Sequence, residues 1–264
     1  MSPSPIHPSA VIDATAQLGE GVRIDPFAVI GADVRLGAGC HIRAHAVIDG
    51  PTTLGPACVV HSFAAIGTPP QDKKWKGEHT QLIAGEGNVF RECVTINRGT
   101  GQGGAVTRIG DHNLFMAYAH VAHDCHVGSH TVFANGATLA GHVSVGDYAG
   151  LGGMAAVGQF VRVGESAFLG ANAMVSMDVA PYCLAQGDRA RLLGLNVVGL
   201  RRRGFEGALL EAVQAAYRIA FRADLGLDEA CAQIVAAHGE HPEVMRFVHF
   251  LQSSQRGVMR PTAE

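Results

Sequence analysis

Aliphatic residues recur every six positions along most of the first two-thirds of the chain. Cut at that interval, the start reads "IHPSAV IDATAQ LGEGVR IDPFAV IGADVR LGAGCH IRAHAV IDGPTT LGPACV VHSFAA IG". Its leading positions run Ile6, Ile12, Leu18, Ile24, Ile30, Leu36, Ile42, Ile48, Leu54, Val60 and Ile66, and all are aliphatic. The phase breaks at "TPPQDKKWKGEHTQ", returns for "AGEGNV FRECVT IN", breaks at "RGTGQGGAVTR", then holds from Ile109 to Val175. Neither a helix of period 3.6 nor an alternating strand of period 2 produces this pattern. A hexad with one inward aliphatic and a small residue beside it marks a parallel β-helix of triangular section. Three hexads close one coil of about 18 residues, and successive coils stack as parallel strands about 4.8 Å apart. Periodicity predicts the triangular coil but not its hand.

The period fails after Val175, where Pro181 occupies the next leading position, and helical patterns follow. "EGALLEAVQAAYRIAF" places Leu209, Val213, Ala216, Ile219 and Ala220 on one face. Asp228 is the expected cap of "EACAQIVAAHG", Gly239 its stop, and Pro242 stands just ahead of "EVMRFVHFLQSS". The expected organisation is therefore a β-helix over 1–187 with an inserted loop at 67–83, and an α-helical domain over 188–264.

Composition narrows the class. In 264 residues, 47% are hydrophobic and 16% charged, which excludes a disordered chain. A net charge of −3 gives no basic field for nucleic acid, and no apolar run is long enough to span a bilayer. The N-terminus has no apolar signal core, and six cysteines without CxxC spacing read as free thiols of a cytoplasmic protein.

The coil turns sequence into neighbours, because residue n lies below residue n+18. His123 then stacks below Gly141 and Gln159, and Asp124 below His142. Gly141 leaves space over the imidazole and exposes its N–H there. A base beside an open amide is the arrangement acyl transfer needs, one group taking a proton and the other holding an oxyanion. His126 and His130 lack such company and read as solvated. The competing reading is a zinc ion held by His120, His123 and His142.

At this point the chain resembles the UDP-N-acetylglucosamine O-acyltransferases that begin lipid A biosynthesis. The resemblance spans nearly the whole length and rests on "AHVAHDC" (119–125), "LAGHVSV" (139–145), "GGM" (152–154), "PPQDKKWKGE" (69–78), "AQG" (185–187), "GLRRRGF" (199–205) and "SSQRGVMR" (253–260). It implies a left-handed parallel β-helix with a C-terminal helical domain, a homotrimer with its sites between subunits, and no metal or cofactor. The implied donor is an (R)-3-hydroxyacyl chain on acyl carrier protein, and the implied acceptor is the 3-position of UDP-N-acetylglucosamine. By resemblance His123 is the general base, Asp124 its orienting partner and Gly141 the oxyanion donor. Asp72 and Lys74 reach in from the loop, while His142 and Gln159 line the pocket. Asn196, Arg202 and Arg203 contact the uridine diphosphate, Ala171 stops the acyl chain, and Arg218 and Arg222 face the acidic carrier protein.

Three positions depart from the family pattern. Gly158 stands where a pocket histidine is usual, Asn97 replaces the histidine of "TIHRGT", and Val198 replaces an acidic residue. The first two suggest an alternative acceptor, the 3-amino analogue of the sugar nucleotide, giving an amide. The related N-acyltransferase is disfavoured because hexads begin at Ile6 and leave no separate N-terminal domain. The "GLRRRGF" and "QD" segments disfavour an acetyl-CoA enzyme. A non-catalytic solenoid is the remaining reading.

Overall fold

The computed structural model describes residues 6–261. Three parallel sheets form a triangular prism, one short strand of each sheet per coil. The first face has nine strands, from Val11–Ile12 to Met174–Val175. The second has eight, from Gln17–Leu18 to Arg162–Val163, and the third has ten, ending in Cys183–Gln186 and Arg191–Leu195. The coil is left-handed.

The hexads act as expected. Within most strand pairs the first residue points out and the second in, so Ile24, Ile30, Ile42, Ile48, Val60 and Ile66 are buried to 1% exposure or less. Phe90, Phe115 and Phe133 stack inside, with ring centroids 5.3 and 4.7 Å apart. Between strands the chain turns most edges through a residue with positive φ, among them His112, Tyr118, Asp124, His130, His142, Tyr148, Phe160 and Ser166. That conformation costs an ordinary side chain about 1–2 kcal/mol, which the backbone ladders on either side of each edge offset.

Eighteen residues separate stacked partners, as in Val47↔Ala65 and His120↔Thr138, except at two insertions and in the last coil, where Phe168 pairs with Leu184 sixteen positions on. Ala65 pairs with Thr95, and Thr95 with His120, so twelve and then seven extra residues leave the prism. The first insertion is the loop 69–80, shorter than the expected 67–83 because strands Ala65–Thr68 and Gln81–Ala84 take up its ends. The second contains a 3-10 turn, Gly101–Gly103.

The expected boundary near 187 falls in the turn of an antiparallel hairpin that still belongs to the third sheet. A hairpin has no hexad period, so the pattern ends before the sheet does. Four helices follow: α1 (Val197–Arg202), α2 (Gly207–Arg222), α3 (Leu227–His238) and α4 (Pro242–Gln252). Gly239 ends α3 and Pro242 opens α4, but the cap of α3 is Gly226, and Asp228 lies inside its first turn. Arg162 fastens the helices to the prism, donating to buried Asp178 at 3.1 Å and to the Phe250 carbonyl at 2.9 Å.

One edge is held from inside by polar side chains. Asn88 donates to the carbonyls of Gly85 and Gly110 and accepts from the Asn113 N–H at 3.0 Å; Asn113 in turn accepts from Thr131. Asn88 is fully buried, and each stranded buried group costs about 1–3 kcal/mol. Asn88→Ala is therefore expected to lower unfolding stability by more than about 2 kcal/mol, seen as a lower urea midpoint at unchanged m-value. An unchanged midpoint would show that the ladder contributes nothing.

Candidate active site

The edge between the first and second faces carries Ala122, His123, Asp124 and Cys125 between strands His120–Val121 and His126–Val127. Asp124 has φ 59°, and this left-handed turn brings its carboxylate back onto the preceding residue. His123 Nδ1 lies 2.8 Å from Asp124 Oδ2. Neighbours in sequence usually diverge, and here the edge makes them partners. An ionised carboxylate only accepts, so Nδ1 carries the proton and the Nε2 lone pair is free.

Gly141 sits directly over that ring. A Cβ there would come within 2.5 Å of His123 Cε1 and 2.8 Å of Nε2, so only glycine fits. Its N–H has no acceptor among the described residues, and it lines the same cavity as His123. The cavity, about 840 Å³, also takes in His120, Gln159, Gly158 and Gln71, and extends to Arg189 and Arg191 on the terminal hairpin.

His142 stands in the next coil, edge-on to His123 with centroids 5.2 Å apart, and its Nε2 is 3.7 Å from Asp124 Oδ2. It stacks on Phe160 at 4.6 Å. Burial pushes its pKa down, Asp124 opposes this, His123 lowers it further, and Asp72 on the loop raises it. Burial likewise lowers the pKa of His120, whose Nδ1 lies 2.7 Å from Thr95 Oγ1. Both shifts favour the neutral form of the two imidazoles that flank His123.

Among the described residues, the donor set that lies close enough to hold a metal is His123, Asp124 and His142, not the His120, His123 and His142 of the competing zinc reading. Asp124 has little capacity left for an ion. Its side chain is fully buried, Oδ1 accepts from the Thr100 N–H, and Oδ2 accepts from the Thr100 hydroxyl besides facing His123.

The other expected residues are dispersed. Gln159 lies on the cavity wall as read. Asp72 accepts from the Lys74 N–H at 2.9 Å and pins the loop turn, leaving the Lys74 side chain exposed. Asn196 is spent on structure: it caps α1 through the Gly199 N–H and donates to the Ser166 carbonyl. Arg203 pairs with Glu165 at 2.7 Å and lies over the Tyr148 ring at 3.8 Å. Both belong to the edge between the second and third faces. Arg202 is exposed with no partner among the described residues, and Val198 is 64% exposed.

Ala171 lies on the remaining edge, between the third and first faces, and it does not line the cavity. Its separation of 48 positions from His123 is not a whole number of coils, so a distance counted along the prism axis alone misplaces it. Asn97 is another correction. It is 1% exposed and donates to Thr68 Oγ1 and the Pro69 carbonyl, so it holds the root of the loop instead of facing substrate. Sequence reading missed Thr100 and gave His120 only a metal-binding role.

Comparison with known proteins follows the same lines. Residues 178–259 match the family model described as Udp N-acetylglucosamine O-acyltransferase, domain 2, and residues 15–50 and 107–141 match the bacterial transferase hexapeptide repeat. An acyl-[acyl-carrier-protein]–UDP-N-acetylglucosamine O-acyltransferase of Anaeromyxobacter sp. (strain K) is 48% identical over 97% of this chain and 99% of its own. Its counterpart in Xanthomonas campestris pv. campestris is 48% identical over 97% of each. Among solved structures, the UDP-N-acetylglucosamine O-acyltransferase of Moraxella catarrhalis superposes with a TM-score of 0.95 at 37% identity, covering 97% of this chain and all of that one.

Proposed function

The chain belongs to the acyl-[acyl-carrier-protein]–UDP-N-acetylglucosamine O-acyltransferases, and we infer from this how its own residues divide the reaction. The protein moves an (R)-3-hydroxyacyl chain from acyl carrier protein to the 3-hydroxyl of UDP-N-acetylglucosamine, the first step of lipid A biosynthesis. An amide-forming variant is not favoured: the chain's relatives are named as O-acyltransferases, and Asn97, half of its support, is bonded to Thr68 and Pro69 and does not line the cavity.

The observation that carries the assignment of roles is the pair formed by His123 and the open Gly141 amide. His123 Nε2 takes the proton of the sugar 3-hydroxyl as its oxygen attacks the thioester carbonyl. The Gly141 N–H holds the resulting oxyanion. Collapse expels the carrier thiolate, which recovers the proton from the imidazolium, so base and acid are one group. Asp124 keeps the ring in the required tautomer throughout. Gln159 and the Asp72–Lys74 turn serve the sugar and donor. Of the three residues expected at the diphosphate, Asn196 and Arg203 are held by structural bonds, and Arg202 is the one exposed and unpaired among the described residues. Arg218 and Arg222, exposed on α2, suit the acidic carrier protein.

We also propose a homotrimer. The outward positions of the first face include Val11, Val29, Val47, Ala65, Ala156 and Met174, and the nine strands put no charged residue there. The second face, by contrast, presents Arg35, Arg108 and Arg162. Exposed Phe27, Phe63, Tyr118 and Met154 continue the apolar surface along the edge of Ala171. Closing three first faces around an axis buries this surface and sets the His123 edge of one chain against the Ala171 edge of the next. No helix is long and apolar enough to cross a membrane, and six unpaired cysteines suit work in the cytoplasm.

His123→Ala is expected to lower turnover of UDP-N-acetylglucosamine with a hydroxyacyl carrier protein by at least about 100-fold, with the circular dichroism spectrum unchanged. More than a tenth of wild-type turnover would remove His123 from the role of base. Light scattering at micromolar concentration is expected to give three times the chain mass of 27.6 kDa, and a monomer would contradict the shared site. Ala171→Met is expected to shift preference to shorter donors; an unchanged length profile would place the stop elsewhere.

A further inference from the structure

The second insertion, seven extra residues just below the His123 coil, ends its outward excursion against Asp124. Thr100 begins it and is buried at 6% exposure. Its N–H donates to Asp124 Oδ1 at 2.9 Å and its hydroxyl donates to Oδ2 at 2.6 Å. Oδ2 is the same oxygen that faces His123 Nδ1. The Thr100 hydroxyl is itself oriented, because its oxygen accepts from the Gly103 N–H, which leaves its hydrogen directed at the carboxylate. Gly103 closes the remaining side: a Cβ there would fall 2.1 Å from Asp124 Cγ. Thr107 completes the enclosure, accepting from the Asp124 N–H at 2.8 Å and steadying the left-handed edge.

We propose that Thr100 is a positioning residue for acyl transfer, holding the Asp124 carboxylate in the one orientation that fixes the tautomer and ring plane of His123. This rests on the reading of His123 as the base. A carboxylate with only His123 to hold it can rotate about its own bond and present Oδ1 or Oδ2 in many planes. Two donors from Thr100, one to each oxygen, remove that freedom. The charged or titratable groups around Asp124 are His123 beside it, His142 above it and the buried Cys125 thiol that follows it, with His120 and Asp72 acting through the two imidazoles. Among the described residues no Lys or Arg meets the carboxylate directly, so its charge is balanced by hydrogen bonds and by the imidazolium that forms during turnover.

Thr100→Val keeps the branched shape and the backbone donor but deletes the hydroxyl. It is expected to lower kcat about 10- to 100-fold, the worth of one hydrogen bond to a charged group, with little change in KM for UDP-N-acetylglucosamine. Less stabilised, the carboxylate takes up a proton more readily and holds the imidazolium more tightly, so the acid limb of kcat/KM moves to higher pH. Thr100→Ser restores the hydroxyl and is expected to recover most of kcat and the original limb. Gly103→Ala tests the same carboxylate by steric means while retaining every polar group, and it is expected to lower kcat in the same manner. It also serves if the valine variant does not fold. A Thr100→Val enzyme with kcat within twofold of wild type overturns the proposal. So does a fall in kcat with an unmoved acid limb and no recovery by serine, which is the behaviour of a purely structural residue. His123→Ala separates the two claims: an active alanine variant removes the base itself, whereas an inactive one beside a normal Thr100→Val removes only the positioning role.

Discussion

Every feature of this molecule depends on the register of its coils. Backbone hydrogen bonds place residue n under residue n+18, about 4.8 Å apart, with little freedom to slip because each slip would turn an aliphatic hexad leader outward. The stacking fixes which side chains share an edge, and it makes an edge a place where distant residues meet at a repeatable distance. His123, Gly141 and Gln159 are neighbours for no other reason. The same register lets a single glycine act as an opening, since its missing side chain is missing directly over the ring below.

The edges bear the cost of this arrangement and also supply the chemistry. A left-handed residue at most corners turns its side chain away from the path of the strand. At most corners the result is stacking, as in the His112, His130 and Tyr148 ladder, whose rings lie 5.3 and 4.8 Å apart. At Asp124 the same turn aims a carboxylate at the preceding imidazole, and the second insertion keeps it there. The proposed acyl-transfer centre is thus an ordinary corner of the fold that is occupied by a carboxylate and an imidazole, with a departure from the period packed behind it.

Much of this was legible in the residues. The hexads predict the prism, the n+18 rule pairs His123 with Gly141, and α2 and α4 follow from their apolar spacing and, for α4, from Pro242. The failures trace to the reach of the rule, which links residues only where the period is unbroken and their offset is a multiple of eighteen. Thr100 lies in an insertion, twenty-four positions before Asp124, so no stacking rule could link them. Asn97 stands at the root of the other insertion and folds beneath it. Ala171 is within the period, but its offset is not a multiple of eighteen, so it occupies a different edge. The terminal hairpin escaped because antiparallel strands carry no hexad.

The expected residues occupy three separate edges of one prism: His123 on the first, Arg203 and Asn196 on the second, Ala171 on the third. One chain by itself cannot bring the base and the acyl stop into the same cleft, so the account requires a site shared between chains. Mixed trimers test this requirement directly. Chains carrying His123→Ala and chains carrying Ala171→Trp are each expected to be inactive as homotrimers with the natural donor. When they are unfolded and reassembled together, each mixed trimer should hold one cleft with an intact His123 edge from one chain and an intact Ala171 edge from the other. The account predicts that activity returns in the mixture and rises with the fraction of mixed trimers. Mixed trimers that form and remain inactive would contradict it.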